Sequence, residues 1–155
     1  MRRRNPWVDV GYVGEHYGTA GSGILYFHDI YILLLKRSGE VVSPYVWGVP
    51  GGAIPVDSRT GHPMDPLQSA LKEAREEMGR LPPGGDAQPS DVHVAEDPIS
   101  HFRYTTYSIE LAEVAFFGWE PRLNWEHNDW GWFTVHEALM QLDLHPGVAD
   151  MLSRS

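Results

Sequence analysis

The sequence has no cysteine among its 155 residues, which excludes disulfides, cysteine-based zinc sites and thiol nucleophiles. It also has no apolar run near the roughly 18 residues that a membrane-spanning helix needs. Arg2, Arg3 and Arg4 resemble the start of a signal peptide, but no apolar segment follows them. We therefore expect a soluble, cytoplasmic protein.

Basic residues are scarce in the second half of the chain. Residues 81–155 contain three Lys or Arg against twelve Asp or Glu, so this half accounts for the whole formal net charge of −9. Such an excess disfavours a protein that coats duplex nucleic acid or an anionic membrane by charge. The negative charge does not exclude a phosphate-bearing small molecule as a ligand, because a bound divalent cation can supply the missing positive charge.

Apolar and aromatic segments surround one strongly helical segment, which predicts an α/β fold in a single domain over residues 1–155. The helix is predicted over 66–78, because Asp65 suits its N-cap, Pro66 its first position and Gly79 its end. A loop is predicted before it, over 53–65. The other predicted elements are strands over 24–27, 30–35, 45–49, 92–94 and 130–133, one long or bent strand over 104–119, and helices over 135–142 and 146–152.

Three glutamates, Glu73, Glu76 and Glu77, lie on one arc of the predicted helix at spacings of three and four residues. Like charges this close repel and raise one another's pKa, a conflict that a bound divalent cation removes. Oxygen-only ligands favour Mg²⁺ or Mn²⁺. The alternative is a solvated helix face on which Lys72 and Arg75 screen the glutamates.

The glutamates belong to a longer sequence pattern. It consists of residues 47–52 (WGVPGG), a loop, and residues 70–79 (ALKEAREEMG). Together they resemble the signature of the Nudix hydrolase superfamily, and the whole chain resembles its small MutT-like members. Residues 21–37 resemble the opening hairpin of that family, and residues 126–133 and 145–147 resemble its closing segments. The resemblance implies an α/β/α sandwich around a mixed β-sheet.

The sequence departs from the signature in its loop and in single residues. The loop before Lys72 is six residues longer, and Met64 stands in the place of the first signature glutamate, with Asp57 and Asp65 as candidate substitutes. Lys72 replaces the signature arginine and so lacks its planar, bidentate fork. Arg80 takes the last aliphatic position. The E-x-x-E-E core is intact, which favours an active enzyme.

The resemblance implies metal-dependent hydrolysis, by water attack on phosphorus, of a nucleoside diphosphate linked to another group. Mg²⁺ is the expected cofactor, with Mn²⁺ as an alternative. An ordinary or modified nucleoside triphosphate is the leading substrate, and a nucleotide sugar or ADP-ribose is the runner-up. A non-catalytic nucleotide sensor is an alternative of another class. A small nucleotide is the expected partner, without duplex nucleic acid or membrane, and a homodimer is a candidate assembly.

By the same resemblance, Glu73, Glu76 and Glu77 are catalytic residues and metal ligands. Which of them accepts the proton is open. Glu126 and the carbonyl of Gly52 are further candidate ligands, although Glu126 could also be an ordinary surface acid. The backbone of Gly51 can approach a metal or phosphate closely because no side chain intervenes.

Several other side chains are candidates for contacts with the substrate. Arg37 and Arg103 could bind a phosphate, whereas the structural alternatives are a solvent-facing strand end for Arg37 and an ion pair for Arg103. His127 could act as a base or stack on the nucleobase. The aromatic candidates for stacking are Tyr45, Phe27 and Trp130.

Overall fold

A computed structural model of the chain describes residues 20–41 and 43–154, so Arg2, Arg3 and Arg4 lie outside the described residues. The strands are β1 Ala20–His28, β2 Tyr31–Arg37, β3 Trp47–Gly48, β4 Gly51–Ala53, β5 Asp91–Glu96, β6 Arg103–Glu110 and β7 His127–Thr134. The helices are α1 Pro66–Met78, α2 Glu113–Gly118, α3 Val135–Gln141 and α4 Pro146–Ser153. None of these helices is both long and apolar enough to cross a lipid bilayer.

All the strands belong to one mixed sheet. Its main path runs β3-β2-β1-β6-β5, with β4 also paired to β1 and β7 to β2. β1 and β6 are parallel, and the other pairs are antiparallel. The alternating apolar side chains of the strands face two separate cores. This confirms the predicted α/β/α sandwich around a mixed sheet.

Helices cover both faces of the sheet. On one face, α1 and α2 bury Ala70, Ala74 and Ala115 against strand residues such as Leu33. On the other face, α3 and α4 bury apolar side chains against the alternate strand positions. This second core contains Leu25, Leu34, Tyr104, Ala138 and Val148. Each central strand is therefore buried on both sides, as its continuous apolar sequence indicates.

The strands β1 and β2 diverge, and this divergence positions the site described below. They pair at Phe27 with Ile32 and at His28 with Tyr31. Farther along, β3 pairs with β2, while β4 pairs with β1 through residues 51–53. The segment 47–53 thus fills the gap between two central strands, and Gly51 lies in the interior of the sheet.

The helix α1 spans the residues that the sequence predicts. The Asp65 side chain caps it by accepting a hydrogen bond from the Gln68 N–H at 3.0 Å. Gly79 ends it in the left-handed conformation, with a φ of 74°. All three local signals at its ends, Asp65, Pro66 and Gly79, act as their residue types predict.

The prediction of one long or bent strand over 104–119 is wrong in its second half. The strand ends at Glu110, and residues 113–118 form α2. The aromatic and β-branched residues of this segment favour a strand. The segment instead buries Ala115 and Trp119, four residues apart, while Val114 and Phe117 stay exposed. Burial at helical spacing against the α1 core outweighs the local preference.

Smaller differences lie at strand boundaries. The predicted strand 45–49 is reduced to β3, because Tyr45 adopts a positive φ of 65° that extended backbone does not allow. Ile30 belongs to the turn before β2 instead of to the strand. The loop 53–65 is confirmed apart from Ala53, which ends β4, and an isolated bridge between Val56 and Pro63.

Two glycines in the left-handed conformation test what ends α1. An added Cβ at Gly79 would lie 2.9 Å from the backbone oxygen of Arg122, whereas one at Gly61, with a φ of 71°, meets nothing within 4 Å. We expect Gly61→Ala to lower the free energy of unfolding by about 1–2 kcal/mol through backbone strain alone. Gly79→Ala adds the clash and should cost clearly more. Urea denaturation measures both, and equal losses would contradict this account of the helix end.

Candidate active site

The three glutamates of α1 differ in their surroundings. Glu77 is fully buried and faces the sheet, Glu73 is half-buried, and Glu76 is exposed. Lys72 forms an ion pair with Glu76 at 3.7 Å across one turn of the exposed surface. The solvated-face alternative therefore describes Glu76 and Lys72, but it does not describe Glu77.

Glu77 is attached to the segment that fills the gap between β1 and β2. The N–H of Gly51 donates a hydrogen bond to Oε1 of Glu77 at 2.9 Å. The second oxygen, Oε2, is buried and has no hydrogen-bond partner among the described residues. Burial raises the pKa of Glu77 well above its usual range, the Gly51 N–H acts against this rise, and the charges of Glu73 and Glu126 add to it.

Glu73 and Glu126 complete a group of mutually repelling carboxylates. Burial raises the pKa of Glu73 to about 7, with further contributions from the charges of Glu76 and Glu126. Burial also raises the pKa of Glu126, while Arg37 and Asn124 act against that shift. The pKa shifts of Glu73, Glu77 and Glu126 thus connect α1 with a segment distant in sequence, and the charge of Glu76 contributes to two of them.

The segment before β7 brings Glu126 to α1 through Asn124. The backbone N–H of Asn124 donates to the carbonyl oxygen of Glu77 at 3.0 Å. The side-chain oxygen of Asn124 accepts from the N–H of Glu126 at 3.1 Å. Asn124 is a residue that the sequence reasoning missed. An asparagine side chain often accepts the backbone N–H two residues on, in an Asx turn, and this tendency of its residue type is the signal for the contact.

Arg37 is buried, with 4 % of its surface exposed, so it is not the solvent-facing strand end of the structural alternative. Its Nε donates to the carbonyl oxygen of Ser43 at 3.2 Å. The same guanidinium acts on the pKa of Glu77, Glu126 and His127. Arg37 is thus a buried cation whose charge acts on Glu77 and Glu126.

His127 is the first residue of β7 and is buried. Burial, with a smaller contribution from the charge of Arg37, lowers its pKa to about 3. The imidazole is therefore neutral at neutral pH. A buried ring in this position has no open face on which a nucleobase could stack.

The other predicted residues have no hydrogen bond or ion pair to these carboxylates among the contacts of the described residues. Arg103 is exposed and forms an ion pair with Glu96 at 3.1 Å, which is its structural alternative. Tyr45 is exposed beneath the Lys36 ammonium. Gly52 pairs with Ser22 inside the sheet. The remaining two are Phe27, which lines a cavity of about 480 Å³ on the α3 side, and Trp130, which packs on Trp119 with ring centroids 6.2 Å apart.

Neither candidate substitute for the missing signature glutamate joins the carboxylates. Asp57 accepts a hydrogen bond from the Arg59 N–H at 2.8 Å within its own loop. Asp65 caps α1. Both acids therefore have local roles that stabilise the loop and the start of the helix.

The carboxylates fit a divalent cation by their chemistry. Oε2 of Glu77 and Oε2 of Glu126 are both buried without a hydrogen-bond partner in the described part of the chain, and such atoms usually have one. Over residues 20–41 and 43–154, no three acidic or histidine side chains stand close enough to hold an ion as they are placed. The donors suit a cation that also takes water and substrate oxygens as ligands.

A family model described as the NUDIX domain matches residues 19–154. The chain belongs to the Nudix family. The predicted enzyme class, a hydrolase of this family that acts on phosphoanhydride bonds, is confirmed. Nudix hydrolases generally use a divalent metal ion. No curated protein matches the sequence.

Solved structures similar to this chain are Nudix-type proteins of low sequence identity. An Ap4A hydrolase from C. elegans is 18% identical with a TM-score of 0.62, and covers 87% of this chain and 93% of its own. A MutT protein from Methanosarcina mazei Go1 is 18% identical with a TM-score of 0.63, covering 87% and 90%. A MutT Nudix hydrolase from Burkholderia pseudomallei is 24% identical with a TM-score of 0.57, covering 86% and 95%. At these identities the likeness shows the fold.

The raised pKa of Glu73 predicts how stability changes with pH in the metal-free protein. A carboxyl whose pKa is higher folded than unfolded stabilises the fold while protonated, and this contribution is lost as the pH rises toward the folded pKa of about 7. With EDTA present, the free energy of unfolding should therefore fall between pH 5 and 7.5, and Glu73→Gln should reduce that fall.

Glu110→Gln is the matched control, since Glu110 is an exposed acid at the end of β6. It should keep the wild-type pH dependence in the same urea titrations. A Glu73→Gln variant with the full wild-type dependence would show that Glu73 does not hold its proton in the fold.

Proposed function

We propose that this chain is a Mg²⁺-dependent pyrophosphohydrolase that cleaves a nucleoside diphosphate linked to another group. An ordinary or modified nucleoside triphosphate is the substrate we favour. The similar Ap4A hydrolase supports the broader class, because Ap4A is also a nucleoside diphosphate linked to a further group. Nucleotide sugars and ADP-ribose are the second choice of substrate.

The observation that carries the proposal is the buried carboxylate of Glu77. One of its oxygens is held by the Gly51 N–H, and the other is buried without a hydrogen-bond partner in the described part of the chain. Burying a carboxylate without full compensation is costly, and Glu73 and Glu126 add repulsion. A divalent cation beside Oε2 would remove both costs.

In this proposal Glu77, Glu73 and Glu126 hold the metal, with Glu76 as a further ligand or base. When bound, the metal neutralises phosphate oxygens and lowers the pKa of the attacking water. One of the three glutamates Glu73, Glu76 and Glu77 accepts the proton of the attacking water.

Arg37 has a supporting role in the proposal. Arg37 is buried, and its positive charge favours the ionised forms of Glu77 and Glu126. We propose that Arg37 keeps these two acids ready to bind a cation, in addition to any contact with phosphate.

We also propose a small free nucleotide as the substrate, in preference to duplex nucleic acid. The acid excess of residues 81–155 supports this. Arg103 and Arg154 of this half are each bonded to a carboxylate at 3.1 Å. Both ion pairs would have to break before these arginines could bind a phosphate backbone, which needs several available cations.

The test is incubation with Mg²⁺ and a panel of nucleoside triphosphates, nucleotide sugars, ADP-ribose and dinucleoside polyphosphates, with phosphate products measured. We expect cleavage of at least one compound by the wild type. Glu77→Gln should reduce kcat about a hundredfold or more, since loss of a metal ligand exceeds the 10–100-fold cost of losing its supporting contacts. Glu110→Gln should leave the rate unchanged.

Two results would contradict the proposal. If no compound is cleaved while one binds tightly, the chain is a nucleotide-binding sensor. If Glu77→Gln retains wild-type activity in the presence of Mg²⁺, the buried carboxylate is structural and the catalytic metal lies elsewhere.

A further inference from the structure

Tyr104 lies beneath three glycines that leave room for its side chain. It belongs to β6, pairs with Gly21 of β1 and is 1 % exposed. A Cβ added at Gly21 would lie 2.9 Å from its ring, and one added at Gly23 or Gly51 would lie 2.5 or 2.7 Å from its hydroxyl oxygen. The tyrosine ring therefore crosses β1 and ends against Gly51 of β4.

Gly51 is thus contacted from both faces of the sheet. Tyr104 belongs to the core under α3 and α4, and its ring packs on His145 with centroids 5.0 Å apart. Glu77 reaches Gly51 from α1 on the opposite face and accepts its N–H. The Tyr104 hydroxyl therefore occupies the place that a side chain at Gly51 would take, next to the peptide that holds Glu77.

A hydrogen bond does not account for this hydroxyl. It is buried and has no hydrogen-bond partner among the described residues. Phenylalanine would fill nearly the same volume without leaving a polar atom unpaired, which is normally costly. Tyr26, on the neighbouring strand, differs in this respect, because its hydroxyl donates to the carbonyl oxygen of Gly85 at 2.7 Å. What the structure gives the Tyr104 hydroxyl is its close approach to Gly51.

We propose that Tyr104 is a positioning residue, whose hydroxyl fixes Gly51 and thereby sets the orientation in which Glu77 presents its free oxygen to a metal ion. The inference rests on the proposed function, because it takes Oε2 of Glu77 as a metal ligand. Removing the hydroxyl leaves space under Gly51 into which the peptide can relax. The hydrogen bond to Glu77 then loses its fixed geometry.

The experiment compares Tyr104→Phe with Tyr26→Phe, two buried tyrosines on adjacent strands. Binding of Mn²⁺ alone, without nucleotide, is measured by electron paramagnetic resonance of the free ion, with Glu77→Gln identifying the site. The melting temperature is measured in EDTA. Tyr104→Phe should weaken Mn²⁺ binding about tenfold, the scale for contacts that orient a ligand, and should keep or raise the melting temperature.

Tyr26→Phe should show the opposite behaviour, with a lower melting temperature and wild-type Mn²⁺ affinity. Wild-type Mn²⁺ affinity in Tyr104→Phe would overturn the role of Tyr104 and leave the proposed function standing. A loss of affinity in both variants that follows their loss of stability would also overturn it, since the effect would then be structural. A wild-type protein that binds no Mn²⁺ would instead contradict the proposed function itself.

Discussion

The hydrogen bond from the Gly51 N–H to Oε1 of Glu77 joins the carboxylate helix to the interior of the sheet. A buried carboxylate needs such a donor, and the fold provides it where β1 and β2 separate and residues 47–53 fill the gap. The carbonyl of the same glutamate accepts the N–H of Asn124, which brings in Glu126. One side chain and its own backbone thus organise three distant segments.

The negative charge of the chain affects its chemistry at the group of carboxylates around Glu77. Glu73, Glu77 and Glu126 repel one another in a half-buried group, and Arg37 is the buried cation that acts against this repulsion. The imbalance favours binding of a divalent cation. In the proposed function, a bound cation would allow a protein with a net charge of −9 to accept an anionic polyphosphate.

Local signals in the sequence predict α1 to the residue, since its cap, first position and end depend only on neighbours within the helix. They fail at α2, where burial of Ala115 and Trp119 against α1 decides the structure. The solvent-facing alternative for Arg37 fails for a similar reason, because Arg37 is buried and pairs with His127 of β7, which is distant in sequence. Nothing in the sequence around Tyr104 indicates that its side chain reaches Gly51. The two residues belong to β6 and β4, and β1 lies between these strands.

The central claim is that the free oxygen of Glu77 is a metal ligand. Anomalous diffraction from crystals of the protein with Mn²⁺ tests it most directly, because the signal locates the ion without assumptions about the reaction. We expect a peak bonded to Oε2 of Glu77 while Oε1 keeps its hydrogen bond to Gly51, with Glu73 or Glu126 as a second ligand. A well-occupied ion that Glu77 does not touch would contradict it.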